Sequence, residues 1–253
     1  MTVSTSRILV VNDDGIHAPG IKLLTEIAEA LSEDVWVVAP EMEQSASSHS
    51  LTVHNPIRLK QYDKKRFSVT GTPTDCVLMG TRMLMKDAPP TLILSGVNRG
   101  ANVGDDIGYS GTVAGALEGC LLGYPSIALS QLFGGTEDLY WGTAKAFAPD
   151  LIQKLCATGW PEGTLMNVNF PACYDNEIKG IKVVPQGKHQ VQIDMHKHLD
   201  PKGHPYYWIG GPRKHEGLEN TDVHALENGY VTITPLHLDM TDYKVLAELQ
   251  GGF

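Results

Sequence analysis

The sequence predicts an α/β fold, in which a doubly wound, mostly parallel, Rossmann-like sheet carries C-terminal β-hairpin extensions. Short apolar runs rich in β-branched residues alternate with segments of helical periodicity up to about residue 180. Beyond that point the helical pattern thins, and Pro, Gly and His become frequent. Alternating strands and helices are typical of a parallel sheet covered on both faces. We therefore expect a Rossmann-like core over residues 1–180 and a hairpin-rich extension over residues 181–253.

The first strand–helix–strand unit carries this pattern most clearly. Residues 7–12 and 34–39 are continuous apolar runs, and the second run stops at Pro40. Between them, apolar residues recur at helical spacing, namely Ile21, Leu24, Ala28 and Leu31. A strand, a helix and a second strand within about 35 residues form a βαβ unit, whose two strands run parallel.

Later segments repeat the same two kinds of element. We expect strands over residues 91–95, 126–130 and 165–170, and helices over residues 112–122 and 143–157. In the C-terminal region, short strand-like pieces lie at residues 181–184, 206–209 and 230–234. We interpret these pieces as hairpins packed on the core. The consecutive aromatics Tyr206, Tyr207 and Trp208 favour an oligomer contact, with a local core as the alternative.

Charge and composition exclude several classes of protein. The 253 residues carry 20 Lys and Arg against 29 Asp and Glu, a net charge of −9. That balance argues against non-specific binding of a nucleic-acid polymer, because such binding needs an excess of cations to displace counterions. A hydrophobic content of 42% with 19% charged residues fits a packed globular core and not a disordered chain.

Targeting and redox signals are weak in this sequence. No apolar run approaches the roughly 18 residues that a membrane span needs, so we expect no membrane partner. The first residues lack the long apolar stretch of a secretory signal, which makes the cytoplasm the expected location. The cysteines are far apart in the chain, at Cys76, Cys120, Cys156 and Cys173. Reduced thiols are therefore expected, and not a zinc site or a disulfide framework.

A candidate metal site follows from where the predicted strands end. The first strand ends in Asn12-Asp13-Asp14-Gly15, the second feeds the polar loop at residues 41–50, and the third runs into Asn98. In open α/β sheets these carboxyl ends meet at one edge, where ligands bind. Adjacent carboxylates with hydroxyl and amide oxygens favour a hard divalent cation such as Mg²⁺, Mn²⁺ or Ca²⁺. The alternative is that residues 12–15 form a plain turn.

A candidate anion site lies at residues 104–112, directly before a predicted helix. Glycines and hydroxyls at a helix start leave free N–H groups and the positive end of the helix dipole facing a ligand. The segment is neither a Walker A loop nor a nucleophile elbow, because it lacks the Gly-Lys-Ser/Thr of the first motif and the closing glycine of the second. The alternative is that Ser110 or Thr112 is an ordinary helix cap. A metal site beside an anion site predicts metal-assisted phosphoryl chemistry.

Taken together, these segments resemble the SurE family of metal-dependent 5′-nucleotidases, also called survival protein E. The resemblance covers nearly the whole chain. It is carried by segments that include ILVVNDDGIHAPGI, VTGTPTDCV, ILSGVNRGANVGDDIGYSGTVAGALEG and GYVTITPLHLDMT. The number and the order of these segments make the match specific. The resemblance implies a catalytic core that removes phosphate from nucleoside 5′-monophosphates, with 3′-monophosphates and short polyphosphate as further substrates of some members.

The resemblance also implies the roles of particular residues. One divalent cation per subunit, Mg²⁺ or Mn²⁺, is expected on Asp13, Asp14, Ser45 and Asn98. The two aspartates are also the expected catalytic residues, with either a water molecule or an aspartate as the nucleophile. The phosphate is expected on Asn102, Ser110, Gly111 and Thr112. Family members are homodimers or homotetramers, and their C-terminal β-hairpins contribute to assembly.

One departure from the family pattern lies in the loop that carries Ser45. The family commonly has Arg-Ser-Gly-Ala-Ser there, whereas this chain has Gln44-Ser45-Ala46-Ser47-Ser48. Loss of the glycine restricts the backbone, and loss of the arginine removes a cation near a phosphate. We expect metal binding to persist in this chain, whereas substrate preference inferred through the loop is in doubt.

Other residues and functions have weaker support. The late histidines suggest a zinc or copper site, but a solvated surface is the preferred interpretation; they are His189, His196, His198, His204 and His215. Asp105 and Asp106 could cap the anion loop, Arg99 could meet a phosphate, and Cys76 is expected to be a packed residue. The alternative function is a nucleotide-binding regulatory protein that uses the same cleft without turnover. An NAD-dependent oxidoreductase is disfavoured, since the first turn lacks G-x-G-x-x-G.

Overall fold

The computed structural model of this chain describes residues 3, 6–132, 134, 137–188, 190–191, 194–210, 213–214 and 218–252. The helices are Pro19–Leu31 (α1), Pro73–Met79 (α2), Gly111–Leu121 (α3), Glu137–Thr158 (α4), Asp222–Glu227 (α5) and Tyr243–Gln250 (α6). The strands of the N-terminal part are Arg7–Val11 (β1), Asp34–Pro40 (β2), Leu59–Asp63 (β3), Arg66–Val69 (β4), Leu92–Arg99 (β5), Ser126–Gln131 (β6) and Thr164–Phe170 (β7). The later strands are Ile181–Val183 (β8), Gln190–Val191 (β9), Asp194–Leu199 (β10), Pro205–Gly210 (β11), Arg213–Lys214 (β12) and Val231–His237 (β13).

The central sheet confirms the predicted fold class. In the part of the chain that the structure describes, nine strands form one sheet in the order β3-β4-β2-β1-β5-β6-β7-β13-β8. The inner strands from β4 to β7 are parallel, and antiparallel pairs occur at β3–β4 and β7–β13. Helices α1 and α4 pack on one face, whereas α2 and α3 pack on the other. The carboxyl ends of β1, β2 and β5 therefore share one edge.

Among the described residues, the C-terminal strands divide among three sheets: the main sheet, the β10–β11 hairpin and the antiparallel pair of β9 and β12. The hairpin of β10 and β11 forms a separate antiparallel sheet, as the sequence predicts for an extension. However, β13 joins the main sheet between β7 and β8, which differs from the predicted hairpins packed on the core at residues 181–184 and 230–234. Residues 231–234 of β13 are all buried, and helix α5 packs against this strand.

Helix α2 carries Cys76 and was not among the helices that the sequence analysis predicted. Thr72 caps this helix, since its Oγ1 accepts from the backbone N–H of Asp75 (3.2 Å), while Asp75 Oδ2 accepts from the N–H of Thr72 (2.8 Å). Pro73 at the first helical position completes this start signal, which the sequence contained. Cys76 is fully buried, which agrees with a packed residue, and burial raises the pKa of its thiol. All four cysteines lie in the described residues, and none of them forms a disulfide bond.

None of the helices in the described part of the chain is both long enough and apolar enough to cross a bilayer.

Candidate active site

Three strand ends converge on a cavity of about 370 Å³ at the predicted edge of the sheet. Six of the eight predicted site residues line this cavity: Asp13, Asp14, Ser45, Asn98, Asn102 and Ser110. Gly111 and Thr112 do not line it; they lie behind the carboxylate of Asp13. The cavity wall also includes Glu43, Arg99, Asp106 and Tyr109. Side chains separated by up to 97 positions in the sequence thus face one space.

Asp13 is a buried carboxylate at the end of β1. Its side chain is only 4% exposed, and the Thr112 hydroxyl donates a hydrogen bond to its Oδ1. Burial raises the pKa of Asp13 from 3.8 to about 6, and the neighbouring charge of Asp14 adds to this rise. Hydrogen bonds from Thr112 oppose the rise but do not cancel it. An ionised Asp13 therefore lacks the solvation that a carboxylate has in water, which favours a bound cation.

Asp14 is the second carboxylate of the pair and is half-buried. Its Oδ2 accepts a hydrogen bond from the backbone N–H of Arg99 (3.3 Å). Burial is the main cause that raises the pKa of Asp14; the Glu43 carboxylate raises it further, while the N–H and the charge of Arg99 lower it. Four carboxylates thus line the cavity, those of Asp13, Asp14, Glu43 and Asp106, and Glu43 is one that the sequence analysis missed. Its only sequence signal was its position two residues before Ser45.

The donor set of this cavity fits a hard divalent cation. Its oxygens come from the carboxylates of Asp13 and Asp14, the hydroxyl of Ser45 and the amide of Asn98, whose Nδ2 is engaged by the carbonyl of Gly100 (2.9 Å). Within the described ranges, no group of three or more His, Cys, Asp and Glu residues is arranged to hold a metal. An arrangement of the zinc type is therefore not found there. The mixed oxygen donors match the preference of Mg²⁺ or Mn²⁺.

The loop that carries Ser45 is anchored to both halves of the site. The N–H of Gln44 donates to the carbonyl of Asp13 (2.8 Å). At the other end, the N–H of Ser48 donates to the carbonyl of Tyr109 (3.2 Å), and its hydroxyl donates to the carbonyl of Gly108 (2.8 Å). The hydroxyl of Ser45 itself donates to Glu43 Oε1 (2.7 Å). The loop therefore bridges the end of β1 and the predicted anion segment.

Ala46 occupies a strained backbone conformation in this loop. Its φ is +59°, in the left-handed region that disfavours residues with a Cβ. This is the position at which the family commonly has glycine. The chain thus keeps the loop conformation that glycine favours but fills it with alanine, so the departure noted in the sequence has a local energetic cost.

The start of α3 touches Asp13 through a close backbone approach. A Cβ on Gly111 would lie 2.7 Å from Asp13 Cβ and 3.0 Å from Ser47 Oγ, so a larger residue would push the carboxylate or the loop aside. Ser110 caps the helix, because its Oγ accepts from the N–H of Val113 (3.0 Å). Ser110 therefore does serve as the ordinary cap that was the alternative interpretation, while it also lines the cavity.

The other acidic residues and histidines that the sequence analysis named lie in different parts of the structure. Asp106 lines the cavity, whereas Asp105 is exposed. His196, His198 and His204 are exposed on or next to the β10–β11 hairpin. His189 and His215 lie outside the described residues. The sequence analysis also missed Asn167 and Asn169 of β7, which contact Asn102. Their signal was two asparagines in an otherwise apolar strand, LMNVNF.

Comparison with known proteins identifies the family. The sequence model described as survival protein SurE matches residues 8–193, more than half of the chain. This chain belongs to the SurE family. A relative from Brucella anthropi named 5′-nucleotidase SurE is 53% identical over 252 residues, covering 97% of this chain and 96% of the relative. A relative of the same name from Afipia carboxidovorans is 50% identical and covers 98% of both chains.

A solved structure agrees with this assignment. The crystal structure of the SurE protein from Aquifex aeolicus superposes with a TM-score of 0.83 at 44% identity. The match covers 96% of this chain and 98% of the other. The architecture of this SurE chain is thus shared over almost its full length.

A first prediction concerns the buried charge of Asp13. In the metal-free protein at pH 8, Asp13→Asn should raise the free energy of unfolding by up to ~3 kcal/mol, since a folded-state pKa of about 6 against 3.8 penalises the ionised form. Because the folded pKa is raised, the stability of the wild type should fall as pH rises from about 4 to 6, and the variant should lose the part of this slope that Asp13 contributes, while the raised pKa of Asp14 leaves a smaller slope. Urea unfolding at several pH values measures both effects.

Two comparisons make this prediction specific. Asp105→Asn removes the same charge from an exposed side chain and should leave the pH slope intact. Added Mn²⁺ should stabilise the wild type but not Asp13→Asn. The account of a buried, cation-seeking carboxylate is wrong when Asp13→Asn destabilises the metal-free protein at pH 8.

A second prediction concerns the strained loop. Ala46→Gly should stabilise the protein by up to ~1 kcal/mol, because relief of the left-handed alanine outweighs the extra chain entropy of glycine. Ala88→Gly is the matched control, since Ala88 is an exposed alanine without a positive φ. The control should lose about 0.5–1 kcal/mol in urea unfolding. Equal losses in both variants would contradict strain at Ala46.

Proposed function

We propose that this SurE chain is a divalent-metal-dependent phosphomonoesterase that hydrolyses nucleoside 5′-monophosphates to nucleoside and phosphate. One observation carries the proposal: two adjacent, poorly solvated carboxylates face the same cavity as the start of helix α3. A cation site and an anion site in one space are what phosphoryl transfer requires. The relatives at 50–53% identity that are named 5′-nucleotidase SurE support the same reaction class.

In this proposal, Asp13, Asp14, Ser45 and Asn98 hold one divalent cation, Mg²⁺ or Mn²⁺. The chemistry that such a cation supplies is Lewis-acid polarisation of the phosphoryl oxygens and a lowered pKa of nearby water. Thr112 holds Asp13 in place through its hydroxyl, and the carbonyl of Gly100 fixes the amide of Asn98 so that its oxygen is the free end. Both contacts orient the ligand oxygens before the cation arrives.

The phosphate would bind against Asn102 and Ser110, at the cap of α3. The other two predicted phosphate residues, Gly111 and Thr112, lie behind the Asp13 carboxylate, so they would act on the phosphate through the position and the dipole of the helix start. Asp13 is a buried carboxylate at the cavity and is the proposed acceptor of a proton from an attacking water molecule. Direct attack on phosphorus by Asp13 or Asp14 is the alternative route.

The position of Tyr109 supports a nucleoside as part of the proposed substrate. Its side chain is 56% exposed at the rim of the cavity, and its carbonyl is held by the N–H of Ser48. An exposed aromatic ring beside a phosphate site can stack on a base. The phosphate contacts do not involve the sugar, so nucleoside 3′-monophosphates and short polyphosphate are further substrates under this proposal.

Phosphate release tests the proposal directly. The protein is stripped with a chelator and assayed on a panel of nucleoside 5′-monophosphates, without metal and with Mg²⁺ or Mn²⁺. We expect release only with metal, and a fall of at least ~100-fold in Asp14→Asn, in line with the loss of a metal or charge contact in a site of this kind. Asp105→Asn is the charge-matched control and should retain activity.

Nucleotide binding without turnover is the outcome that would contradict the proposal. Tight nucleotide binding without release of phosphate under any metal condition would contradict the hydrolase and would favour a nucleotide-binding regulatory protein. The altered loop at residues 44–48 would then be the first segment to examine.

We further propose that the β10–β11 hairpin contacts a second copy of this chain in a homodimer or homotetramer. Five of its six β11 residues are exposed, with Trp208 at 65% and Ile209 at 73%, and isolated hairpins are marginally stable in water. Tyr207 and Ile209 share one face of the hairpin. An apolar hairpin face that projects from the main sheet therefore needs a cover.

Light scattering tests the assembly. The wild type should have a mass that is a multiple of 27.5 kDa, and replacing both Tyr207 and Ile209 with Ser should lower it. Met83→Ser is the control, since Met83 is an exposed apolar residue on another part of the surface. A wild type with the mass of a single chain contradicts this proposal.

A further inference from the structure

A patch of buried polar residues lies on the sheet face that packs against α3. It consists of Ser130 on β6, Asn167 and Asn169 on β7, and Thr232 and Thr234 on β13, all of them at most 1% exposed. Ser130 pairs with Asn169, Asn169 with Thr232, and Asn167 with Thr234, so these side chains share one face. We call this set the polar platform. A sheet face under a helix is normally apolar, so these residues need an explanation.

The polar platform forms hydrogen bonds with both the backbone and the side chain of Asn102. Asn169 Oδ1 accepts from the backbone N–H of Asn102 (2.8 Å), and Asn169 Nδ2 donates to the Asn102 carbonyl (3.1 Å). Asn167 Nδ2 donates to the same carbonyl (2.8 Å). Ser130 Oγ accepts from Asn102 Nδ2 (2.8 Å). These contacts fix the backbone of Asn102 and also the direction of its side-chain amide.

The side-chain amide of Asn102 has one more N–H donor than its contact with Ser130 uses. An asparagine amide carries two N–H donors, and Ser130 engages one of them. Asn102 lines the cavity beside Ser110 and is only 6% exposed. The second donor belongs to a residue that lines this largely buried site, where a hydrogen bond to an anion would be strong.

Gly104, two residues after Asn102, is held by the C-terminal part of the chain. Asp222 Oδ2, at the start of α5, accepts from the N–H of Gly104 (3.0 Å), and Gln186 Nε2 donates to the Gly104 carbonyl (2.8 Å). Residues 102–104 are thereby fixed by the sheet at one end and by the C-terminal extension at the other. This segment leads directly to the cap of α3.

Packing does not account for the platform. Thr232 Oγ1, Thr234 Oγ1 and Asn167 Oδ1 are buried without a hydrogen-bond partner among the described residues. Buried polar atoms of this kind are unfavourable, and valine would fit the threonine positions without that cost. The four contacts to Asn102 are the feature of the platform that serves the cavity.

We propose that Asn169, Asn167 and Ser130 are positioning residues for phosphate binding, which act by presenting the free amide donor of Asn102. The proposal rests on the proposed function, because it takes the cavity beside Ser110 as the phosphate site. None of the three residues touches the four proposed metal ligands through a hydrogen bond in the described part of the chain. Replacing these residues should therefore change the affinity for phosphate and leave the affinity for the metal unchanged.

The test measures two affinities in the full-length protein by calorimetry: that of Mn²⁺ alone, and that of inorganic phosphate in the presence of Mn²⁺. Asn169→Leu should weaken phosphate binding about 10–100-fold, and Ser130→Ala about 3–10-fold, as expected for the loss of two hydrogen bonds and of one. Mn²⁺ affinity should stay within about twofold in both variants. In turnover, the KM for nucleotide should rise by factors similar to those for phosphate.

Thr234→Val is the matched control. It removes a polar platform atom that has no partner and does not touch Asn102, so phosphate and Mn²⁺ affinities should not change. Ser130→Ala deletes a single oxygen, so it decides the question if Asn169→Leu does not fold. A purely structural role would lower stability and Mn²⁺ affinity together and leave the ratio of the two affinities unchanged.

The outcomes separate this inference from the proposed function. Wild-type protein that binds phosphate without hydrolysing nucleotides contradicts the hydrolase but leaves the positioning test readable. Unchanged phosphate affinity in Ser130→Ala and Asn169→Leu overturns the positioning role while the hydrolase stands. Absence of phosphate binding by the wild type with Mn²⁺ overturns both.

Discussion

The contact between Asp13 and the start of α3 is the constraint on which the rest of this site depends. The carboxylate ends a fully buried strand and receives the hydroxyl of Thr112, while Gly111 allows the helix to come within van der Waals reach of it. A carboxylate in such a place is unfavourable by itself, because burial disfavours its ionised form. Its presence in the core is understandable when a cation and a phosphate complete the site.

The other elements of the site follow from this constraint. The loop after β2 holds the Asp13 carbonyl at Gln44 and the anion segment at Ser48, so one loop fixes the distance between the proposed cation and phosphate positions. On the far side, β7 and α5 hold residues 102–104. The site is thus supported by contacts from both halves of the chain, and the C-terminal residues contribute to it through Asp222 and Gln186.

The sequence predicted the parts of the fold that local pattern determines. The strands at β1, β2, β5, β6 and β7 were expected within a few residues of their bounds, because continuous apolar runs flanked by turn residues are unambiguous. The convergence of Asp13, Ser45 and Asn98 followed from the topology of parallel sheets. Local pattern failed where tertiary contacts decide: β13 was expected in a hairpin but joins the main sheet, and the roles of Glu43 and Asn169 depend on residues distant in sequence. The helix at Thr72–Asp75 is different, since its capping signal was present in the sequence.

The central claim is that the cavity between Asp13, Asp14, Ser45 and Asn98 is built to hold one divalent cation. Calorimetric titration of Mn²⁺ into chelator-stripped protein at neutral pH tests it most directly, because it requires no substrate. The account predicts one ion per chain in the wild type and a loss of that binding in Asp14→Asn. A titration without saturable binding, or the same stoichiometry and affinity in Asp14→Asn, would contradict it.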